Sequence, residues 1–325
     1  MIAALLALQL ASASLPADPF AFFDPPVAVG ADERERLDGG EAVAWTLPAT
    51  GDTLALFGAI RVAVDGDRLS EWARQIAALK RSAFVLEIGR FSDPPRLEDL
   101  NGLTFDVDDL RDLRRCTPQH CAFRLADDEI ESIQQAVFSR SPQWRLAALH
   151  EAMRGLLLRR AQEYLQHGRT GPPPPAFLFA NWPSLAVYLE QYPRVPRPDV
   201  ETFLYWSKEQ LGGRPVISVT HVTVARGHPP EQPDALLVGR QVCALRYLQG
   251  AWTFTAIVGA SPHDVYLAYV NQSQVSALSG FFGGLVRFIV ERRVRKEATE
   301  VLQGLRRRLE SGGPPRSTDN MEVRP

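Results

Sequence analysis

Cysteine is scarce in this chain, with three among 325 residues, too few to staple a domain of this size, so the fold must rest on an apolar core. An excess of one charge is lacking too. With 36 Lys and Arg against 38 Asp and Glu, the formal net charge is −2, which excludes a wholesale nucleic-acid binder. The short strings that carry catalysis are also missing: no GxSxG elbow, HExxH, phosphate-binding loop, GxGxxG or paired CxxC occurs. No catalytic residue, metal ligand or cofactor is therefore assigned. Two fragments come near. His150-Glu151 begins a zincin-like string, but residue 154 is Arg and the second ligand is gone. Ser261-Pro262-His263-Asp264 has the residue types of a hydrolase triad, yet neighbours in one turn cannot line up nucleophile, base and orienter, and a polar hairpin loop is the expectation.

What is present begins at residues 1–13, an uncharged Ala- and Leu-rich stretch ending in Ala11-Ser12-Ala13. An apolar run too short for a transmembrane helix, followed by a small-x-small site, predicts a signal peptide cleaved before Ser14 and a periplasmic or secreted protein. Cysteine placement fits export. Cys116 and Cys121 bracket Thr-Pro-Gln-His, so in an oxidising compartment they are expected to form a small disulfide ring. Free thiols, or a zinc site using His120, are the alternatives. Cys243 falls in an apolar strand and is expected to be buried and inert.

Hydrophobic content of 45% and charged content of 23% are those of a globular protein. Residues 14–40 read as an extended arm, 41–311 as an α+β domain, and 312–325 as a disordered tail. Within the domain, strands are expected at Leu54–Val64 and Ala83–Phe91, with a helix over Arg68–Lys80 between them and a turn at Asp65-Gly66-Asp67. Residues 94–210 read as a helical insertion. It includes a long helix with Trp144, Leu146, Leu149, Met153, Leu156 and Leu157 on its apolar stripe, and shorter helices at Pro183–Gln191 and Asp199–Leu211 that stop at Gly212-Gly213. The Gly168–Pro175 stretch, rich in proline, is either a domain boundary or a rigid connector.

The last third reads as an antiparallel sheet: Pro215–Ala225, Ala235–Leu248, Ala251–Val258 and Val265–Asn271, closed by a long helix over Ser276–Glu310. A hairpin turn at Gln249-Gly250 would oppose residues whose numbers sum to 499. Leu245, Tyr247, Trp252 and Phe254 would then form the buried face, with Arg240 and Arg246 pointing away. The helix stripe of Phe282, Leu285, Ile289, Ala298, Val301, Leu302, Leu305 and Leu309 would cover that face. The solvent side of the helix carries Arg287, Arg292, Arg293, Arg295, Lys296, Arg306, Arg307 and Arg308.

This order of elements resembles the helix-grip fold of START-like lipid-transfer and polyketide-cyclase-like proteins. The resemblance implies a ligand held between curved sheet and terminal helix. Separately, VLEIGRFSDPPRLEDL (85–100), YWSKEQLGGRPVISVTHV (205–222) and YLAYVNQSQVSALSGFFGGLVRFIVERR (266–293) resemble a family of exported bacterial proteins of uncharacterised activity. His221, on a strand face with Ile217 and Val219, and Gln241, a buried amide in need of partners, are the candidate ligand-binding residues. Tyr247 and Trp252 are expected to flank Gln241. Two readings stay open: a periplasmic carrier of an apolar small molecule or lipid, or a non-catalytic envelope protein with a filled core. In the second, the Arg-rich helix would meet an anionic membrane or an acidic protein.

Overall fold

The computed structural model describes residues 18, 20–23, 27–64, 72, 74–168, 171–210, 213–229, 232–261, 263–279 and 283–312, side chains of 277, 279 and 283–295 aside. The expected signal peptide with its Ser14 cleavage point, the Asp65-Gly66-Asp67 turn, Gly212 and nearly all of the expected tail lie outside those residues. So do the side chains of Phe282, Leu285, Ile289, Arg287, Arg292, Arg293 and Arg295.

Eight strands make one antiparallel sheet: β1 (Val43–Leu47), β2 (Thr53–Val62), β3 (Val85–Arg90), β4 (Val200–Glu209), β5 (Val216–Arg226), β6 (Ala235–Ala244), β7 (Leu248–Ser261) and β8 (Asp264–Val275), in the spatial order β1-β2-β8-β7-β6-β5-β4-β3. Two hydrogen-bonded ribbons, β1-β2 and β3-β4, thus extend the meander β5 to β8 on either side. Strand β2 is the one expected at Leu54–Val64; β1 is not foreseen, nor is α1 (Ala31–Asp38), which replaces the end of the expected extended arm. Ahead of it, a short turn puts Phe20, Phe22 and Phe23 in the core.

Helices cover both faces. Between β3 and β4 come α3 (Val107–Arg114), α4 (Asp127–Phe138), α5 (Arg145–His167), α6 (Ala176–Asn181) and α7 (Pro183–Gln191); α2 (Ile76–Leu79) and α8 (Gly283–Ser311) lie on the other side of the sheet. On α5 the expected stripe buries Leu149, Met153, Leu156 and Leu157, whereas Trp144, just ahead of the helix, is 62% exposed. The Pro-rich stretch belongs to the same body: Pro172 accepts the Trp252 indole N–H at 3.1 Å.

Three expectations are corrected. Asp199–Leu211 is not a helix but strand β4. Its run of Phe203, Leu204, Tyr205 and Trp206 is apolar on both faces, so periodicity could not separate the two, and the aromatic and β-branched content decides for the sheet. Gln249-Gly250 is not the hairpin turn. The chain reverses over Leu245–Tyr247, where Tyr247 takes the left-handed conformation (φ 56°), and Gly250 lies within β7 because a Cβ there would come within 2.5 Å of Pro172. The pairs are then Arg240 with Trp252, Val238 with Phe254 and Leu236 with Ala256.

That register sums to 492, not 499, and the change from odd to even moves the β6 side chains from Ala235 to Gln241 to the other face, while past the bulge Cys243 keeps the Trp252 side. Arg240 therefore lies beside Trp252, its guanidinium 5.1 Å from the indole centroid. Arg246, also expected outside, is buried against Phe123 and bonded to Asp109 and Asp112 at 3.0 and 2.8 Å.

The third correction concerns α8. Its described apolar residues Leu302 and Leu309 pack with Ile60, Val62, Leu237, Ile257, Val265 and Leu267, on the face opposite Trp252 and Phe254. The Trp252 and Phe254 face is sealed instead by Phe20, Phe22, Phe23, α6 and α7. On α8, Arg306 and Arg308 donate inward, to the carbonyls of Gly40 and Leu79.

Candidate functional site: the inner face of the sheet

Successive strand residues point to opposite faces, and the two faces differ in composition. The outer face, under α5 to α7, carries Trp252, Phe254, Ala256, Ala268 and Val270, all at most 1% exposed. The inner face, on the side of α2 and α8, is apolar at one end and polar at the other. Its polar end carries Ser207, Ser218, Thr220, Gln241, Thr253, Tyr269, Asn271 and Ser273. Ser218, Thr253, Thr255, Tyr269 and Asn271 are partly exposed, although their strands have neighbours on both sides.

The inner face is concave. Tyr269 on β8 lies within electrostatic reach of Lys80, Tyr205 and Glu209, at the β4 end. Four strand spacings would hold it roughly 19 Å away on a flat sheet, so the sheet twists and curls around this side. Burial pushes the Tyr269 phenol up to about 12, with Tyr205 and Glu209 adding to the shift and Lys80 opposing it. The phenol thus stays protonated as a hydrogen-bonding group at neutral pH.

At the wall of the concavity, Lys80 Nζ donates to Glu209 at 2.6 Å and to the Tyr205 hydroxyl at 3.1 Å, and Ser207 Oγ donates to the same carboxylate oxygen at 2.6 Å. Burial alone would neutralise both ions. Their mutual attraction outweighs it, so the ammonium is raised and the carboxylate lowered. The pair is locked as ions and offers neither a ready base nor a ready acid.

The floor is shaped by small residues. Gly239 sits beside Thr253, whose Oγ1 would be 2.3 Å from any Cβ at that position, and Ala251 is the next inner-face residue along β7. Beside them Gln241 is 6% exposed.

The four sequence-predicted ligand residues are thereby separated. Gln241 is on the concave face. His221 and Trp252 are on the outer face, and Tyr247 is in the β6–β7 turn, so neither Tyr247 nor Trp252 flanks Gln241. His221 is enclosed by Tyr192 (ring centroids 4.5 Å apart) and Tyr164, whose hydroxyl is 2.8 Å from Nδ1, while Nε2 is buried without a partner among the described residues. Burial, reinforced by Arg240, drives its pKa down to about 3. Arg240 donates to the Leu189 carbonyl at 3.1 Å. This reads as a neutral core histidine.

Cys116 and Cys121 are at disulfide distance, 2.04 Å between sulfurs, which fits an oxidising compartment. Cys243 is free and only half-buried, not sealed as expected; it lines two adjoining depressions of about 430 and 580 Å³ with Arg160 and Val242. Burial raises its thiol. The two near-motifs are structural: His150 Nε2 tethers the Phe105 backbone, and Ser261 Oγ donates to Asp264 at 3.1 Å inside the β7–β8 turn. Among the described residues no helix is long and apolar enough to cross a membrane, and no cluster of three or more His, Cys, Asp or Glu could hold a metal ion.

Comparison with known proteins returns no matching family model and no matching curated protein. Solved structures of START and aromatase/cyclase proteins are similar in part. A START superfamily protein from Mycobacterium smegmatis is 13% identical, with a TM-score of 0.25 over 33% of this chain and 66% of its own length, just under two thirds. The Zhui aromatase/cyclase of a Streptomyces species is 12% identical, with a TM-score of 0.25 over 42% of this chain and 90% of its own. The di-domain aromatase/cyclase BexL is 12% identical, with a TM-score of 0.24 over 57% and 61%. At these values the likeness carries nothing about ligand or activity. The concave face stands on its own geometry.

The signal for the missed inner-face residues lay in the alternation Trp252-Thr253-Phe254-Thr255 and in Tyr205-Trp206-Ser207, which place a hydroxyl at every second position. Tyr269 and Asn271 follow the same rule on β8.

Proposed function

We propose that this protein is an exported, non-catalytic binding or carrier protein that seats a small organic molecule between the concave face of its sheet and α8. The observation that carries the reading is the partial exposure of Thr253, Thr255, Tyr269 and Asn271 on interior strands whose other face buries Trp252, Phe254, Ala256, Ala268 and Val270. An antiparallel sheet commonly packs one face and leaves the other to solvent, and what marks this face is its curl, which brings Tyr269 within reach of Lys80, Tyr205 and Glu209. Among the described residues this concave face presents hydroxyl and amide groups, the make-up of a pocket with a few placed hydrogen-bonding groups. Periplasmic or secreted location is part of the proposal and is supported by the Cys116–Cys121 pair.

Native mass spectrometry of the exported protein tests the reading. An extra bound mass in the wild type, absent from Thr253→Trp with its fold retained, is the expected result. The same spectrum from both proteins, whether empty or loaded, would overturn it.

A further inference from the structure

We propose that the corner where α3, α4 and α5 meet is a docking surface for an anionic lipid bilayer, with Arg114, Arg115, Arg140 and Arg145 on the headgroup phosphates and Trp144 in the interface. This corner lies over the outer face of the sheet, away from the concavity, so it and the ligand seat stand or fall separately. Three observations support it.

First, the corner carries charge of one sign. Residues 113–126 and 132–150 contain no Asp or Glu, although the whole chain has 38 of them and a formal net charge of −2. The arginines in these two stretches are Arg114, Arg115, Arg124, Arg140 and Arg145. Neighbouring cations are matched, Arg111 by Asp108 and Arg160 by Glu129. Among the described residues no carboxylate pairs with Arg114, Arg115, Arg140 or Arg145. Arg114, Arg115 and Arg140 stand at the C-terminal ends of α3 and α4, where the helix dipole favours a cation. That accounts for their sign and leaves their charge open to a partner.

Second, the corner is built, and it projects. Arg114 and Arg145 hold their guanidinium groups over the Phe138 ring, 5.2 and 5.7 Å from its centroid. Arg145 Nε donates to the Arg140 carbonyl at 3.1 Å, and the Gln134 amide ties α4 to the end of α3 through the Leu113 and Cys116 carbonyls at 2.8 and 3.0 Å. The Cys116–Cys121 bridge closes the loop that follows. Every residue from Ser139 to Trp144 is exposed, as is every residue from Thr117 to His120. Two exposed turns tied together in this way form a projecting edge, which suits a soft planar partner better than one that must match it in shape.

Third, Trp144, at 62% exposure, is the most exposed of the large apolar side chains described. At a bilayer an indole settles at headgroup level, and arginine receives phosphate in two-pronged geometry. The terminal helix is the rival basic surface, yet its described Arg306 and Arg308 donate inward, to the carbonyls of Gly40 and Leu79.

Co-sedimentation of the full-length protein with vesicles tests the proposal. The protein should bind vesicles of equal parts phosphatidylcholine and phosphatidylglycerol, more weakly as salt rises, and at least about tenfold more tightly than vesicles of phosphatidylcholine alone. Arg115→Ser and Arg140→Ser, both at exposed positions and so expected to keep the fold, should each weaken that binding by about fivefold. Trp144→Phe should remove the blue shift in tryptophan emission that the anionic vesicles induce in the wild type. Arg307→Ser, on the terminal helix, should leave binding and shift unchanged.

Equal binding to both kinds of vesicle, or binding to neither, overturns the inference. So does binding that Arg307→Ser weakens while Arg115→Ser and Arg140→Ser leave it intact, because the docking surface would then be the terminal helix. Soluble polyglutamate held as tightly as the anionic vesicles would also overturn it, since the corner would be reading an acidic chain and not a bilayer.

Discussion

The two faces of the central strands are built from alternate residues of the same segments, yet one is a core and the other a lining. Along β7, Trp252, Phe254 and Ala256 meet the aromatic cluster of Phe20, Phe22, Phe23 and Phe177, with Phe177 and Phe254 edge to face at 5.0 Å. Thr253 and Thr255, one residue away in each case, remain partly exposed on the inner face. The difference teaches that burial here follows the covering layer rather than the strand. Helices α6 and α7 and the N-terminal phenylalanines form a continuous lid on one side. On the other, among the described side chains, Leu302 and Leu309 of α8 and Trp72 pack on the apolar end.

The largest effect should come from the sealed face. Phe254→Ala should destabilise the protein by about 3–5 kcal/mol through lost burial and a residual cavity, while Thr253→Val should change stability by less than about 1 kcal/mol. Urea unfolding of the two variants checks the contrast, and similar losses would contradict it.

Next comes the wall of the concavity. Lys80→Met leaves Glu209 without its counter-ion at a largely buried position, and about 2–3 kcal/mol of stability should be lost at pH 7. Because the folded-state pKa of Glu209 is lowered, the share of stability it contributes is present above its unfolded value and is lost as pH falls through the folded one. Acidification should therefore hurt the wild type more than Lys80→Met, which chemical denaturation at pH 7 and pH 4 can read.

His221 gives a pH effect of similar size on the opposite face. Its folded pKa of about 3 lies below the ordinary imidazole value of 6.5, so between these values the unfolded chain binds a proton that the native chain refuses. Stability falls as pH drops through that window, by about 2 kcal/mol at pH 5. His221→Gln should remove this slope, and an unchanged slope would show that His221 is not neutral in the fold.

Both faces could be foreseen in part. The alternation Trp-Thr-Phe-Thr was legible as one apolar and one hydroxyl-bearing side, and the meander from β5 to β8 was legible from its β-rich runs. The partner of each residue was not. Gly250 looked like a turn glycine, but its lack of a Cβ serves the approach of Pro172, and the true reversal uses Tyr247 in a conformation that sequence does not mark. The seven-residue difference between expected and observed register, an odd number, puts Arg240 on the face opposite to the expected one. For the same reason Gln241 was recognised as a buried amide seeking a partner, while Tyr247 and Trp252 were assigned beside it in error. Lys80 and Glu209 were out of reach altogether, since their pairing spans 129 positions.

A smaller effect is expected far from both faces. Reduction of Cys116–Cys121 should cost about 1–2 kcal/mol, because the ring it closes is short. Thermal melts with and without reductant measure it.

Accessibility along β7 tests the central claim most directly. In a Cys243→Ser background, Thr253→Cys and Ala256→Cys each place one thiol, apart from the oxidised pair, on the inner and outer face. Under native conditions a small neutral maleimide should label Thr253→Cys within minutes and Ala256→Cys only on unfolding. Equal resistance of both thiols would mean that the inner face is packed like the outer one, and the ligand seat would not exist.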